Sequence, residues 1–124
     1  NAMAKLNAEE DPNNVNIPKV ITAEDNEMVY MSRLAVPGFK SHENKPETYY
    51  KQVCIYAFNR EQLLKFGEFG RKSRLESSED IEILRYLDLG VKVKMVEVEG
   101  NSYAVDVEGD ITLVEKRLKE IHKL

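Results

Sequence analysis

Apolar and polar positions follow different rhythms along this chain, and the clearest lies in 73–90. There Ile81, Leu84 and Leu87, with Ile83 beside them, form an apolar stripe near period 3.6. The stripe predicts a helix with Leu84 facing a core. Ser73 and Glu76 are spaced as a capping box, in which each side chain can bond the other residue's backbone N–H. Glu76, Glu79, Asp80 and Glu82 crowd the first half, where the positive end of the helix dipole favours acids. Gly90 stands where a left-handed C-cap is wanted. The next stretch, Val91-Lys92-Val93-Lys94-Met95-Val96-Glu97-Val98, alternates at period 2 and predicts a strand.

Other segments carry weaker versions of the same signals. Lys19-Val20-Ile21-Thr22 and Met28-Val29-Tyr30-Met31 are short strand patterns separated by polar Ala23-Glu24-Asp25-Asn26, which predicts a hairpin. Residues 33–48 contain Pro37, Gly38 and Pro46 with few apolar positions, and read as a long loop. The most apolar run, 50–58, predicts a strand covered on both faces. Asn59 with Gln62 is a second capping box. It opens a helix holding Leu63, Leu64 and Phe66 that ends by Gly67 and Gly70. Gly100-Asn101-Ser102 is turn material, and Tyr103-Ala104-Val105-Asp106 a short extended piece. A final amphipathic helix opens at Glu108 or Gly109 with Ile111, Leu113, Val114, Leu118 and Ile121. Asn1-Ala2 before Met3 has the look of a tag remnant. Residues 3–17 read as an irregular lead-in and 18–124 as a single domain. The expected fold class is α/β, a mixed sheet with flanking helices.

Composition narrows the function classes. The chain has 124 residues, 42% hydrophobic, enough for one core. Its net charge of -4 and its scattered lysines argue against a nucleic-acid surface. Cys54 is the only cysteine, so no internal disulfide can form, and its apolar surroundings read as a core position. With two histidines, His42 and His122, no Cys/His metal cluster can be built. No apolar run approaches the ~20 residues of a membrane span. No secretory signal is visible, and the expectation is a cytoplasmic protein.

The landmarks fall in an order that resembles the C-terminal half of the CMP-Kdo synthetases, the 3-deoxy-manno-octulosonate cytidylyltransferases. Carrying the resemblance are Pro12-Asn13-Asn14-Val15 with Pro18-Lys19-Val20-Ile21, then Met28-Val29-Tyr30-Met31-Ser32-Arg33-Leu34-Ala35-Val36-Pro37. Gln52-Val53-Cys54-Ile55-Tyr56-Ala57-Phe58 follows. So do Leu75-Glu76 with Glu79, Ile81-Glu82-Ile83-Leu84-Arg85 and Leu87, and finally Ala104-Val105-Asp106-Val107-Glu108-Gly109-Asp110-Ile111. The chain departs from the family pattern where Gln52 replaces a histidine, Ile83 a glutamine, and Val107-Glu108 a Thr-Pro. The family's glycine- and basic-rich CTP loop and its Gln-Gly-Asp-x-Pro strand do not occur in these residues.

The resemblance implies part of a nucleotide-diphospho-sugar transferase (Rossmann-like) fold. It also implies a complete enzyme that transfers CMP from CTP to a keto-sugar acid such as Kdo, for lipopolysaccharide precursor synthesis, with Mg²⁺. On that basis Asp106 is the metal-ligand candidate; a helix-capping role is the plainer alternative. Arg33 is placed to pair a sugar carboxylate, or to sit in solvent at a strand end. Gln52 and Tyr56 share a strand face and could line the sugar pocket, although a core tyrosine explains Tyr56 equally. Glu76 and Glu79 could meet sugar hydroxyls or only stabilise the helix start. Lys40, His42 and Lys45 are loop residues that could meet phosphate or only water. No catalytic residue and no bound cofactor are expected in this chain alone. Two functions follow: the sugar-binding, homodimer-forming part of a cytidylyltransferase, inactive without its CTP-binding half, or a non-catalytic α/β dimerisation module derived from one. The expected dimer contact lies near 28–33 and the 33–48 loop.

Overall fold

A computed structural model describes residues 1–100, 105 and 107–122. Five strands form one mixed sheet: β1 Ala2–Lys5, β2 Lys19–Thr22, β3 Met28–Ser32, β4 Tyr50–Val53 and β5 Val96–Glu97. The spatial order is β3-β2-β4-β1-β5. All neighbours run antiparallel except β1 and β5, which are parallel. The helices are α1 Arg60–Glu68, α2 Arg74–Glu79, α3 Arg85–Asp88 and α4 Glu108–His122. This is the mixed-sheet α/β class that the sequence predicts.

The hairpin forms as expected. β2 pairs β3 with Val20 opposite Met31, and a bulge follows at Ile21/Thr22. The turn needs a left-handed residue, and Asn26, at φ 64°, supplies it. The start of the chain is a correction to the sequence reading. Ala2–Lys5, assigned there to a tag remnant and an irregular lead-in, is a strand between β4 and β5 with Ala2, Met3 and Ala4 buried. Its apolar triplet finds partners on both sides, pairing Ala2 with Val53 and with Val96. No local signal in so short a piece announces that.

The core lies between one sheet face and the segment 73–95. Met3, Val20, Met28 and Met31 from the sheet meet Ile81, Ile83, Leu84, Tyr86, Val93 and Met95. The apolar stripe is therefore placed as predicted, but the helix carrying it is broken. α2 ends at Asp80, which is left-handed at φ 53°. A 3-10 turn, Glu82–Leu84, and the short α3 follow, and Gly90 closes the segment at φ +67°. Both capping boxes are present, Ser73 with Glu76 and Asn59 with Gln62. The predicted strand over 91–98 shrinks to Val96–Glu97 plus a single bridge between Lys94 and Glu27.

The opposite sheet face buries charge. Lys19 and Lys51 are cross-strand partners. Lys51 pairs with Glu10 at 2.5 Å, both side chains nearly buried. Lys19 Nζ donates to the carbonyls of Asn14 and Arg33. Burial pulls its pKa below the ordinary lysine value, opposed by the charge of Asp11. These two lysines tie the irregular stretch 6–17 onto the sheet. No helix among the described residues is long and apolar enough to cross a membrane.

Candidate functional site

Three polar constellations flank the core, and they differ in what they leave open to a ligand. The first surrounds Glu76. Its carboxylate accepts from Arg85 through both oxygens, Nε to Oε2 and Nη2 to Oε1, each at 2.7 Å. The Ser73 N–H adds a third bond at 3.0 Å. Arg85 stacks over the Phe66 ring, 3.7 Å from its centroid, and donates to Phe66 O. The Arg85 hydrogen bonds hold the Glu76 carboxyl below the usual glutamate range, outweighing the upward push of burial. Glu76 is only 1% exposed. In this structure Glu76 is a buried brace between the start of α2 and Arg85. Acid crowding at a helix start gives no sign of this, because the partner lies nine residues further on.

The second constellation joins β3 to the broken helix. Arg33 directs its guanidinium at three main-chain carbonyls: Glu79 O through Nε, Val15 O through Nη1 and Asp80 O through Nη2. A planar fork suits the splayed carbonyls at the end of α2. Glu79 answers by accepting from the Arg33 N–H at 2.8 Å and from Tyr30 Oη at 3.2 Å. Burial pushes Glu79 up, but the Arg33 N–H and the Ser32 and Tyr30 hydroxyls hold it below its ordinary value. Arg33 and Glu79, both expected at a sugar, are here engaged with each other's elements. They explain the break at Asp80, which local pattern does not reveal.

The third constellation is open. Gln52, on β4, and Tyr56 come together, Gln52 Nε2 donating to Tyr56 Oη at 2.9 Å, although Tyr56 lies past the bend that ends the strand and not on the strand face expected of it. Gln52 also reaches Asn1 Oδ1 at 3.4 Å. Burial, then the neighbouring Cys54 thiol and the charge of Glu82, push the Tyr56 hydroxyl up to about 12, against the Gln52 bond. Tyr56 therefore keeps its proton at neutral pH and can donate it to a ligand oxygen. Its ring stacks on Phe58 at 5.9 Å, and Phe58 on Tyr86 at 5.3 Å. A half-exposed hydroxyl and an amide beside an aromatic ladder suit a polyhydroxylated ligand better than a phosphate.

Cys54 and the charge of Glu82 act on the Tyr56 hydroxyl, and the sequence assigns neither to a site. Cys54 was expected in the core but is exposed. Glu82 follows the Asp80 break, opens the 3-10 turn and is exposed. Its place in the Ile81-Glu82-Ile83-Leu84-Arg85 motif was the available signal. Lys40, His42 and Lys45 lie on the 33–48 loop, which is exposed there and holds a 3-10 turn at His42–Asn44. Asp106 lies outside the described residues. Among the described residues no three His, Cys, Asp or Glu side chains are grouped to hold a metal ion.

Comparison with known proteins follows the same direction. No protein-family model matches the chain. Curated relatives do. A 3-deoxy-manno-octulosonate cytidylyltransferase from Christiangramia forsetii is 39% identical over 108 residues, covering 87% of this chain and 42% of the relative. One from Flavobacterium johnsoniae is 33% identical over 119 residues, covering 96% of this chain and 48% of the relative. The solved structure of a CMP:2-keto-3-deoxy-manno-octonic acid synthetase complexed with CTP superposes with a TM-score of 0.79 at 25% identity. That match covers 99% of this chain and 48% of the other. The chain spans about half the length of the curated relatives it matches. By sequence and by fold, it is homologous to about half of a 3-deoxy-manno-octulosonate cytidylyltransferase, or CMP-Kdo synthetase.

Proposed function

We propose that this chain is the C-terminal, sugar-acid-binding part of a cytidylyltransferase that transfers CMP from CTP to a keto-sugar acid such as Kdo. The reading rests most on one observation. A match over nearly the whole chain, to enzymes named for that reaction, coincides with an open Gln52–Tyr56 pair beside Glu82. In this reading Tyr56 donates to a sugar oxygen and Gln52 fixes the hydroxyl's direction. Glu82 accepts from a sugar hydroxyl. Arg33, Glu76 and Glu79 hold the scaffold behind them. The residues that bind CTP belong to the part of the enzyme that these residues do not match. Mg²⁺ would neutralise phosphate charge in the complete enzyme. Asp106, the candidate ligand, lies outside the described residues, and no step is assigned to the ion here.

A two-fold dimer belongs to the same proposal. β3 is the outer strand of the sheet, and Val29, Leu34 and Phe39 on and after it are exposed. These features support a contact through 28–33 and the 33–48 loop.

The test is a chimera in which this chain replaces the matching stretch of the Christiangramia forsetii relative. With CTP, Mg²⁺ and Kdo it should release pyrophosphate, and this chain alone should not. Tyr56→Phe should raise the KM for the sugar about tenfold, the equivalent of one lost hydrogen bond. An active chimera indifferent to Tyr56→Phe would refute the assigned site. Turnover by the chain alone would refute the half-enzyme reading.

A further inference from the structure

Lys51 and Gln52 are consecutive on β4, so the strand sends their side chains to opposite faces of the sheet. Gln52 pairs with Met3, a core residue, and its amide reaches Tyr56 Oη. Lys51 lies on the other face, its side chain 6% exposed, directly across from Lys19. Lys19 is satisfied by two main-chain carbonyls. Lys51 is matched by a carboxylate, that of Glu10, whose side chain is itself 8% exposed.

The carboxylate is presented by a closed turn. The Glu10 N–H donates to Asn7 O at 3.0 Å, and Glu10 Oε2 accepts from the Asn7 N–H at 2.8 Å. Asn7 Nδ2 fixes the turn from outside by donating to Gly100 O at 3.0 Å. Ala8 and Glu9, between them, are exposed. The other carboxylate oxygen, Oε1, accepts from Lys51 Nζ at 2.5 Å. With both oxygens engaged inside the protein, Glu10 acts on Lys51 and not on a ligand. β4 ends at Val53 and the chain bends at Cys54, so the site pair joins one residue of the strand to one past the bend. The aim of the Gln52 amide is therefore set by how β4 is held.

We propose that Glu10 is a positioning residue for the sugar-acid site. By holding Lys51 against one face of β4, it fixes the roll of the strand and so the aim of Gln52 at Tyr56 from the other face. Without the carboxylate, a buried ammonium loses its counter-charge and moves toward water. That movement turns the strand and draws Gln52 away from Tyr56. The inference rests on the sugar-site reading, and its test separates the two.

Glu10→Gln keeps the shape of the side chain and removes its charge. In the chimera described above it should raise the KM for Kdo about fivefold, the equivalent of one weakened hydrogen bond, and leave the KM for CTP unchanged. In a Tyr56→Phe background it should add nothing further, because both changes act through one pair. Glu10→Gln with Lys51→Met, which removes the need for a counter-charge, should restore most of the affinity. In this chain alone, Glu10→Gln should shift the side-chain amide resonances of Gln52 and leave those of Gln62, on α1, in place. If Glu10→Gln does not fold, Asn7→Ala, which only loosens the turn, takes its place. An unchanged KM, a rise additive with Tyr56→Phe, an unmoved Gln52 amide, or equal shifts at Gln52 and Gln62 would each overturn the proposal. A shifted Gln52 amide in a chimera that releases no pyrophosphate would uphold the positioning and sink the activity. Pyrophosphate release with an unmoved Gln52 amide would do the reverse.

Discussion

The segment 73–90 and the run 53–58 are both apolar stretches, but only the first is closed by the chain itself. In 73–90, Ile81, Ile83, Leu84 and Tyr86 are buried against four sheet residues, and the polar groups are bonded within the chain: Glu76 by Arg85, and the end of α2 by Arg33. In 53–58, Ile55 is exposed and the main chain of Cys54 and Tyr56 is unpaired among the described residues. Apolar content does not separate the two. Their difference is whether other described residues of the chain cover them. A segment that finds its cover within the chain becomes core, and one that does not is left as an exposed apolar surface.

The largest effect should come from breaking the closed segment's ion pair. Arg85→Ala leaves the Glu76 carboxylate buried without its cation and should destabilise the chain by ~3–5 kcal/mol, read from denaturant midpoints. A loss under about 1 kcal/mol would show that Glu76 finds water. Leu84→Ala, which empties a fully buried site, should cost ~2–5 kcal/mol. An unchanged midpoint would mean that the segment packs differently.

Acid should distinguish the regions next. Glu76 and Glu79 titrate below their ordinary value in the folded chain. Their contribution to stability is therefore complete above the ordinary glutamate pKa and is lost as pH falls through the lower folded values. The urea midpoint should be flat near neutrality and fall below about pH 4.5. Arg85→Ala should flatten that acid limb, and an equally steep limb in the variant would assign it to other carboxyls. The smallest effect belongs to the open run. Ile55→Asp in the chain alone should change stability by less than about 0.5 kcal/mol. A loss like that of Leu84→Ala would mean that Ile55 is already covered.

Legibility in the sequence follows the same division. Features set by neighbouring residues were readable: both capping boxes, Gly90, the β2–β3 hairpin and the start of α4 at Glu108. Features set by distant residues were not. The break at Asp80 is bonded by Arg33, 47 positions earlier. The burial of Glu76 depends on Arg85, and the strand at Ala2–Lys5 on β4 and β5. Of the site, the pairing of Gln52 with Tyr56 was expected from a shared strand face, but the strand ends at Val53 and the two meet across the bend that follows. Glu82 was not assigned, because a continuous helix placed it among dipole-facing acids. β4 was overextended because composition carries no sign of the bend at Cys54, where the Ile55 N–H turns back to Val53 O.

Native-state amide exchange on the chain alone tests this contrast most directly. The account predicts that Leu84 and Leu89, whose N–H groups bond Ile81 O and Arg85 O, exchange only through opening of the core. Cys54 and Tyr56 should exchange at nearly the rates of an unfolded peptide. Protection at Cys54 and Tyr56 equal to that of Leu84, in a chain shown to be monomeric, would contradict it: 53–58 would then be closed by the chain itself.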